Sequence, residues 1–197
     1  VPWIIAINIA VFFLWLYPLI PGTEFMIRNF LVSWDHLAEG RLWTLLTAVF
    51  SHNAFWHIFL NMYVLFSFGA VIEELIGPRR FLSFYLLAGI FSSFCHALVS
   101  AFILGDSAIP ALGASGAVAG LVILFALSYP REKLLIFGLI PIPAIFGALL
   151  FVSLDLWGLF AQAGGGGLPI GHGAHLGGAL IGFLYFIFYI KRHLVRF

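Results

Sequence analysis

Gly113-Ala114-Ser115-Gly116, running on into Ala117-Val118-Ala119-Gly120-Leu121-Val122-Ile123-Leu124-Phe125-Ala126-Leu127 and ending at Ser128-Tyr129, is the stretch on which the fold turns. The apolar run predicts a membrane helix that begins at Ser115. A hydroxyl flanked by glycines, where a loop becomes a helix, is a setting for a nucleophilic serine. Small neighbours let a substrate backbone come close, and the free amides of a helix start can hold a developing negative charge. Because the helix is apolar, the candidate nucleophile falls within the depth of a bilayer. The rest of the chain has to supply its base.

Composition agrees with a membrane setting. The 197 residues are 63% hydrophobic and 9% charged, with 23 phenylalanines, more apolar surface than a soluble domain of this size can cover. A net charge of +1 argues against a nucleic-acid partner. The single cysteine, Cys95, permits no internal disulfide. No basic segment precedes the first apolar run, so the start at Val1 does not read as a cleavable signal, and a trimmed core is expected.

A bilayer core of about 30 Å needs roughly 20 apolar residues per helical span. Six spans are expected: 2–19, 53–75, 81–104, 115–129, 134–158 and 174–190. Pro18 and the Pro21-Gly22 turn end the first. The stretch 20–51 mixes Glu24, Arg28, Asp35, Glu39 and Arg41 with aromatics, which suits short amphipathic helices in the interface. Pro141-Ile142-Pro143 interrupts the fifth span near its start. Gly164-Gly165-Gly166-Gly167, ahead of the sixth, is too flexible to hold a shape unaided.

Arg79, Arg80, Arg131, Lys133, Lys191, Arg192 and Arg196 are seven of the nine basic residues, and all fall on one side of this topology. By the positive-inside rule that side is cytoplasmic and holds both termini. The expected setting is a multi-pass protein of a prokaryotic cytoplasmic (inner) membrane, with its site opening to the outer side.

Intramembrane polar residues are functional candidates by default. His57 and Asn61 share a helical face, and His175 opens the sixth span. Counted from the basic ends, Ser115 lies roughly 21 Å up, His175 roughly 24 Å and Asn61 roughly 20 Å, with His57 one turn higher. Four polar residues from three helices therefore share one layer. Serine needs a base, for which neutral histidine suits pH 7. His175 is the better candidate, because Gly178 and Gly182 let its helix approach another closely. His57 and Asn61 would then donate to an oxyanion beside the Ser115 amide.

Together, Gly113-Ala114-Ser115-Gly116, His57-xxx-Asn61 and Ala174-His175-xx-Gly178-xxx-Gly182 resemble the rhomboid family of intramembrane serine proteases, over nearly the whole chain and in the family's order. The resemblance implies an all-α fold: a polytopic six-helix bundle forming one domain, 1–197, with a membrane-associated first loop. It implies a Ser-His dyad with no required third acid, Ser115 as nucleophile and His175 as general base. His57, Asn61 and the Ser115 backbone amide would bind the oxyanion, and Gly113, Gly116, Gly178 and Gly182 would support the structure. The implied substrates are transmembrane proteins that enter laterally from the lipid past the fifth span and are cut near the outer leaflet. The loop before the sixth span would be a mobile cap, and Glu73 resembles the family's acidic residue at the end of span two.

Two positions depart from that pattern. Trp43-Thr44 stands where rhomboids often carry Trp-Arg, with Arg41 nearby. Ala119 stands where many members place an aromatic on the catalytic histidine, so either an aromatic from span two or six fills the gap or the histidine is held less rigidly. Asp155 either orients His175 as a third member or makes a structural hydrogen bond. His52 is expected to hydrogen-bond in the first loop, His172 to belong to the cap, and His96 and Cys95 to pack. No cofactor is expected. A zinc site is not expected either, since there is no His-Glu-x-x-His and no cysteine pair. The rival functions are a catalytically silent, client-binding rhomboid-like protein, which retention of Ser115 and His175 disfavours, and a channel or transporter. The inner halves of the spans are too apolar for the latter, and no inverted repeat is visible.

Overall fold

A computed structural model of the chain describes residues 1–17, 22–136 and 140–193. The turn expected at Pro18 and Pro21 and the tail cation Arg196 lie outside them. Nine helices are numbered here in chain order: α1 (Pro2–Leu16), α2 (Thr23–Phe30), α3 (Trp34–Ala38), α4 (Thr44–Thr47), α5 (Phe55–Ile76), α6 (Pro78–Phe102), α7 (Ser115–Ser128), α8 (Ala144–Ala163) and α9 (His172–Tyr185). α9 continues through a π-helical turn, Phe186–Ile190, to His193.

Four helices are long and apolar enough to cross a membrane: α5, α6, α8 and the continuous helix His172–His193. α1 and α7 are apolar but shorter, at 15 and 14 residues. The first loop forms the short helices its mixed composition predicts. α2 buries only Met26, and the Ser33 hydroxyl caps α3 by accepting from the His36 amide at 3.2 Å.

The fifth span differs from its expected limits. Lys133–Ile136 pairs antiparallel with Ile140–Pro143, Leu134 facing Ile142 and Leu135 facing Pro141, and helix begins only at Ala144. Pro141 and Pro143 lack the amide that helix continuation needs, yet both are tolerated in a two-stranded ribbon whose outer edges are free. The helix therefore starts ten residues later than its hydropathy suggests and runs on to Ala163.

α7 is the axis of the bundle. Gly116 to Leu121 and Ile123 to Ala126 are all buried, as befits a helix that is apolar all round. α9 lies along it with glycine at the contact: a Cβ at Gly178 would run into the Gly116 carbonyl, and one at Gly182 into the Gly120 carbonyl. On its other side α9 meets α6, where a Cβ at Gly173 would sit 2.8 Å from Val99 and one at Gly177 would sit 2.7 Å from Cys95. The expected approach of the sixth span to the fourth is thus present, and the same helix also packs on the third, there against side chains instead of backbone.

The two ends of the bundle differ in chemistry. Arg80, at the start of α6, lies 5.3 Å over the Tyr189 ring, and Phe84 packs edge-on against Tyr185 at 5.0 Å. One end therefore gathers basic residues and aromatics, while the opposite end holds the first turns of α5, α7 and α9.

The glycine seam generates a direct expectation. Gly182→Ala should destabilise the protein by about 1–3 kcal/mol, the usual penalty for an overpacked interior. Unfolding of the detergent-solubilised protein measures it, and an unchanged midpoint would show that the seam is not a tight contact.

Candidate active site

The turn before α7 is fixed from three sides. Val32 and Ala111 exchange backbone hydrogen bonds at 2.9 and 2.8 Å, and the Gly113 amide donates to the Ala48 carbonyl at 2.9 Å. The Ala114 amide donates to Nε2 of His52 at 3.3 Å. Gly113 has φ +124°, and a Cβ there would lie 2.6 Å from the His57 ring, so only glycine fits on both counts. Ser115 then opens α7. The Val118 amide is already bonded to the Ala114 carbonyl. The Ser115, Gly116 and Ala117 amides have no partner among the described residues and form a free helix N-terminus.

α9 brings the base to this turn. A Cβ at Gly116, one residue past the serine, would come within 3.2 Å of the carbonyl of Ala174, the residue before His175. Ser115, His175, His57 and Asn61 all line one cavity of about 1410 Å³. Ser115 and His175 make no direct hydrogen bond among the described residues, and such contacts often tighten only once substrate is bound. Asn61 spends one amide hydrogen on the His57 carbonyl at 2.8 Å, which leaves it the other. The His57 ring meets that of His52 edge-on, centroids 4.8 Å apart.

Three neighbours complete the surroundings of His175: Asp155, for which sequence left two alternatives, His172, expected in the cap, and Phe151, which sequence did not single out. Asp155, on α8, is buried, and its Oδ1 accepts from His175 Nδ1 at 2.9 Å and from His172 Nδ1 at 2.7 Å. A carboxylate only accepts, so each of these hydrogen bonds places a proton on Nδ1 of its ring and leaves Nε2 turned away from Asp155. Asp155 thus contacts His175 and also makes a second hydrogen bond, to His172, so both kinds of bond expected of it are present. His172, expected in the cap, is instead the buried first residue of α9. These three residues offer metal-ligand atoms within 4.8 Å of one another, and here those atoms are engaged in the hydrogen bonds just described.

Phe151, also on α8, packs on the His175 ring with centroids 5.7 Å apart and planes 32° apart. The aromatic that Ala119 cannot provide therefore comes from the fifth span, not from the second or sixth. A spacing of four between Phe151 and Asp155 was the available signal, since it places both on one helical face. In the first loop, Trp43 donates its indole N–H to Asn29 at 3.1 Å, and the buried Thr44 donates its hydroxyl to the Arg41 carbonyl at 2.7 Å, so Trp43-Thr44 is accommodated by local bonds. His96 bonds the Ile109 carbonyl at 3.2 Å and does more than pack. The glycine linker has support as well: Gln162 donates to the carbonyls of Leu168 (2.6 Å) and Ile170 (2.8 Å).

His52 sits outside the spans. Burial, reinforced by the neighbouring His57, lowers its pKa from 6.5 to about 3. It stays neutral in the folded protein where an unfolded chain would protonate it. Its contribution to stability is complete above pH 6.5 and declines as pH falls from there toward 3. Thermal unfolding followed from pH 7.5 to 4.5 should show a falling midpoint. The fall should be shallower in His52→Gln, whose Oε1 can still accept from Ala114; parallel curves would remove His52 as the cause.

Comparison with known proteins gives a coherent set. The Rhomboid domain family model matches residues 39–192. RHOMBOID-like protein 12, mitochondrial, of Arabidopsis thaliana is 35% identical over 88% of this chain and 53% of its own length. Rhomboid protein 1, mitochondrial, of Saccharomyces cerevisiae is 34% identical over 92% of this chain and 51% of its own. The human presenilin-associated rhomboid-like protein, mitochondrial, is 34% identical over 92% and 46%. The chain spans about half the length of the curated relatives it matches. These relatives, each named as mitochondrial, overturn the expectation of a prokaryotic cytoplasmic membrane.

Proposed function

We propose that this chain, which belongs to the rhomboid family, is an intramembrane serine endopeptidase that cuts the transmembrane segments of membrane-anchored proteins. The observation that carries this reading is the convergence of Ser115, His175, His57 and Asn61 on one cavity at the free N-terminus of α7. In this reading 1–197 is one catalytic core. α1, α5, α6, α7, α8 and the helix begun by α9 are its six spans, substrate enters from the lipid along α8, and no cofactor takes part. The relatives' names favour a mitochondrial membrane.

The reaction is acyl transfer to water. Ser115 Oγ attacks the scissile carbonyl carbon, and His175 takes the hydroxyl proton on Nε2, the nitrogen that its bond to Asp155 leaves free. The carbonyl oxygen becomes an anion held by the Ser115 amide, with His57 and the spare Asn61 hydrogen alongside. The tetrahedral adduct collapses, the C–N bond breaks and His175 returns the proton to the leaving amine. Water then attacks the acyl-enzyme with His175 again as base, and the carboxyl product leaves Ser115.

Reconstitution with a tagged single-span substrate tests the assignment. Ser115→Ala and His175→Ala should each lower cleavage by at least about 1000-fold, as removal of a nucleophile or base does elsewhere. A fluorophosphonate should label the parent protein and not Ser115→Ala. Undiminished cleavage by either variant would end the dyad assignment, and absence of both labelling and cleavage would favour a client-binding role. Chelation by EDTA should leave the rate unchanged; loss of cleavage restored by zinc would point to the Asp155, His172 and His175 donors as metal ligands.

A further inference from the structure

The serine mechanism asks more of His175 than proximity. Its ring must hold one tautomer and one plane so that Nε2 stays turned toward the serine. α9 itself offers the His175 ring only the edge of His172, centroids 6.5 Å apart, and otherwise small residues such as Ala174, Gly177 and Gly178.

We propose that Asp155 and Phe151, one turn apart on α8, are the positioning residues of His175, the carboxylate setting its tautomer and the aromatic ring its plane; this rests on the endopeptidase reading above. Asp155 is the only polar member of the three buried residues on α8, the others being Ala144 and Ala148. It does not bond within its own helix among the described residues. Both of its hydrogen bonds cross to the first turn of α9, to His175 at 2.9 Å and His172 at 2.7 Å. As an acceptor Asp155 holds a proton on His175 Nδ1 and leaves Nε2 to face the serine. His172 gives the same oxygen a second donor at 2.7 Å, and its ring also meets that of His175 edge-on, centroids 6.5 Å apart.

Phe151 completes the hold. It lies along the His175 ring at 32° between planes, while Ala119, buried on α7, has no ring to offer. Both supports thus come from α8, the long helix whose apolar residues are mostly uncovered: Phe146, Leu149, Leu150, Leu154, Trp157 and Phe160 are all exposed. Displacement of α8 would loosen the base. The same helix that borders the lipid side of the cavity therefore sets whether His175 is aligned.

The test compares folded variants by two readouts. Asp155→Asn should lower both kcat on a reconstituted single-span substrate and the second-order rate of Ser115 labelling by fluorophosphonate, each by about 100-fold, with KM changed less than about threefold. Phe151→Leu should lower the labelling rate about tenfold, and Phe151→Tyr should restore it. A merely structural role would lower the unfolding temperature and leave the labelling rate of the folded fraction unchanged. If Asp155→Asn does not fold, the Phe151 pair decides. Labelling of Phe151→Leu within about twofold of an active parent overturns the proposal, as does that result for a folded Asp155→Asn. A parent that neither cleaves nor labels overturns the endopeptidase reading itself, and this proposal falls with it.

Discussion

The backbone of α9 lies against the backbone of α7 with no side chain between them. Gly178 faces the Gly116 carbonyl and Gly182 the Gly120 carbonyl, and everything at the site follows from that contact. In hydrocarbon, helices gain little from excluding water, so close approach and dispersion carry the association. The seam fixes the axial register of the two helices to within a fraction of a turn. Ser115 begins one of them and His175 belongs to the first turn of the other, so register also sets how these two residues stand to each other. Any side chain at the seam would separate the helices and carry His175 away from Ser115.

The contrast with α8 is physical as well as topological. α7 is buried on nearly every side, whereas α8 buries only Ala144, Ala148 and Asp155. In the endopeptidase reading proposed above, the serine stands on the buried helix and the base is held from the exposed one. That division bears on a conflict inherent to proteolysis within a membrane. The reacting groups must be preorganised, yet a wall of the cavity must yield to admit a transmembrane segment.

Sequence made much of this legible. Ser115 was marked by its glycines and by the apolar run behind it, and His175, His57 and Asn61 by being polar at a common depth. The family follows from the same residues. The limits lay where a feature depends on pairing between distant segments. Lys133 to Ile136 reads as the start of a span by hydropathy alone, and only its partner strand, with prolines that cannot enter a helix, makes it a hairpin. Phe151 is one of 23 phenylalanines and carries no local mark of function. The Asp155 bond could be named as an alternative but not chosen, since the rotation of α8 about its axis is not encoded in an evenly apolar stretch. His52 as acceptor of the Ala114 amide depends on a contact between residues 62 apart. The compartment was beyond reach for another reason: charge bias orients a chain within a membrane without saying which membrane it is.

One geometric consequence joins these elements. α7 has 14 residues, a length of about 21 Å at 1.5 Å per residue, against a hydrocarbon core of about 30 Å. In the six-span reading proposed above, a helix so short does not reach both surfaces, and the turn at Gly113 lies below one of them. Irregular backbone at that depth is tolerable only where protein satisfies it. Here the segment between α1 and α5 does so, through Val32, Ala48 and His52. The same shortfall creates the cavity, whose lining includes Ser92, Ser93, His96 and Ser100. A hydroxyl- and imidazole-lined recess can hold water in a place where lipid would otherwise exclude it. In the endopeptidase reading proposed above, the brevity of α7, legible in the first stretch of sequence, is what would let a soluble reactant meet a membrane-bound one.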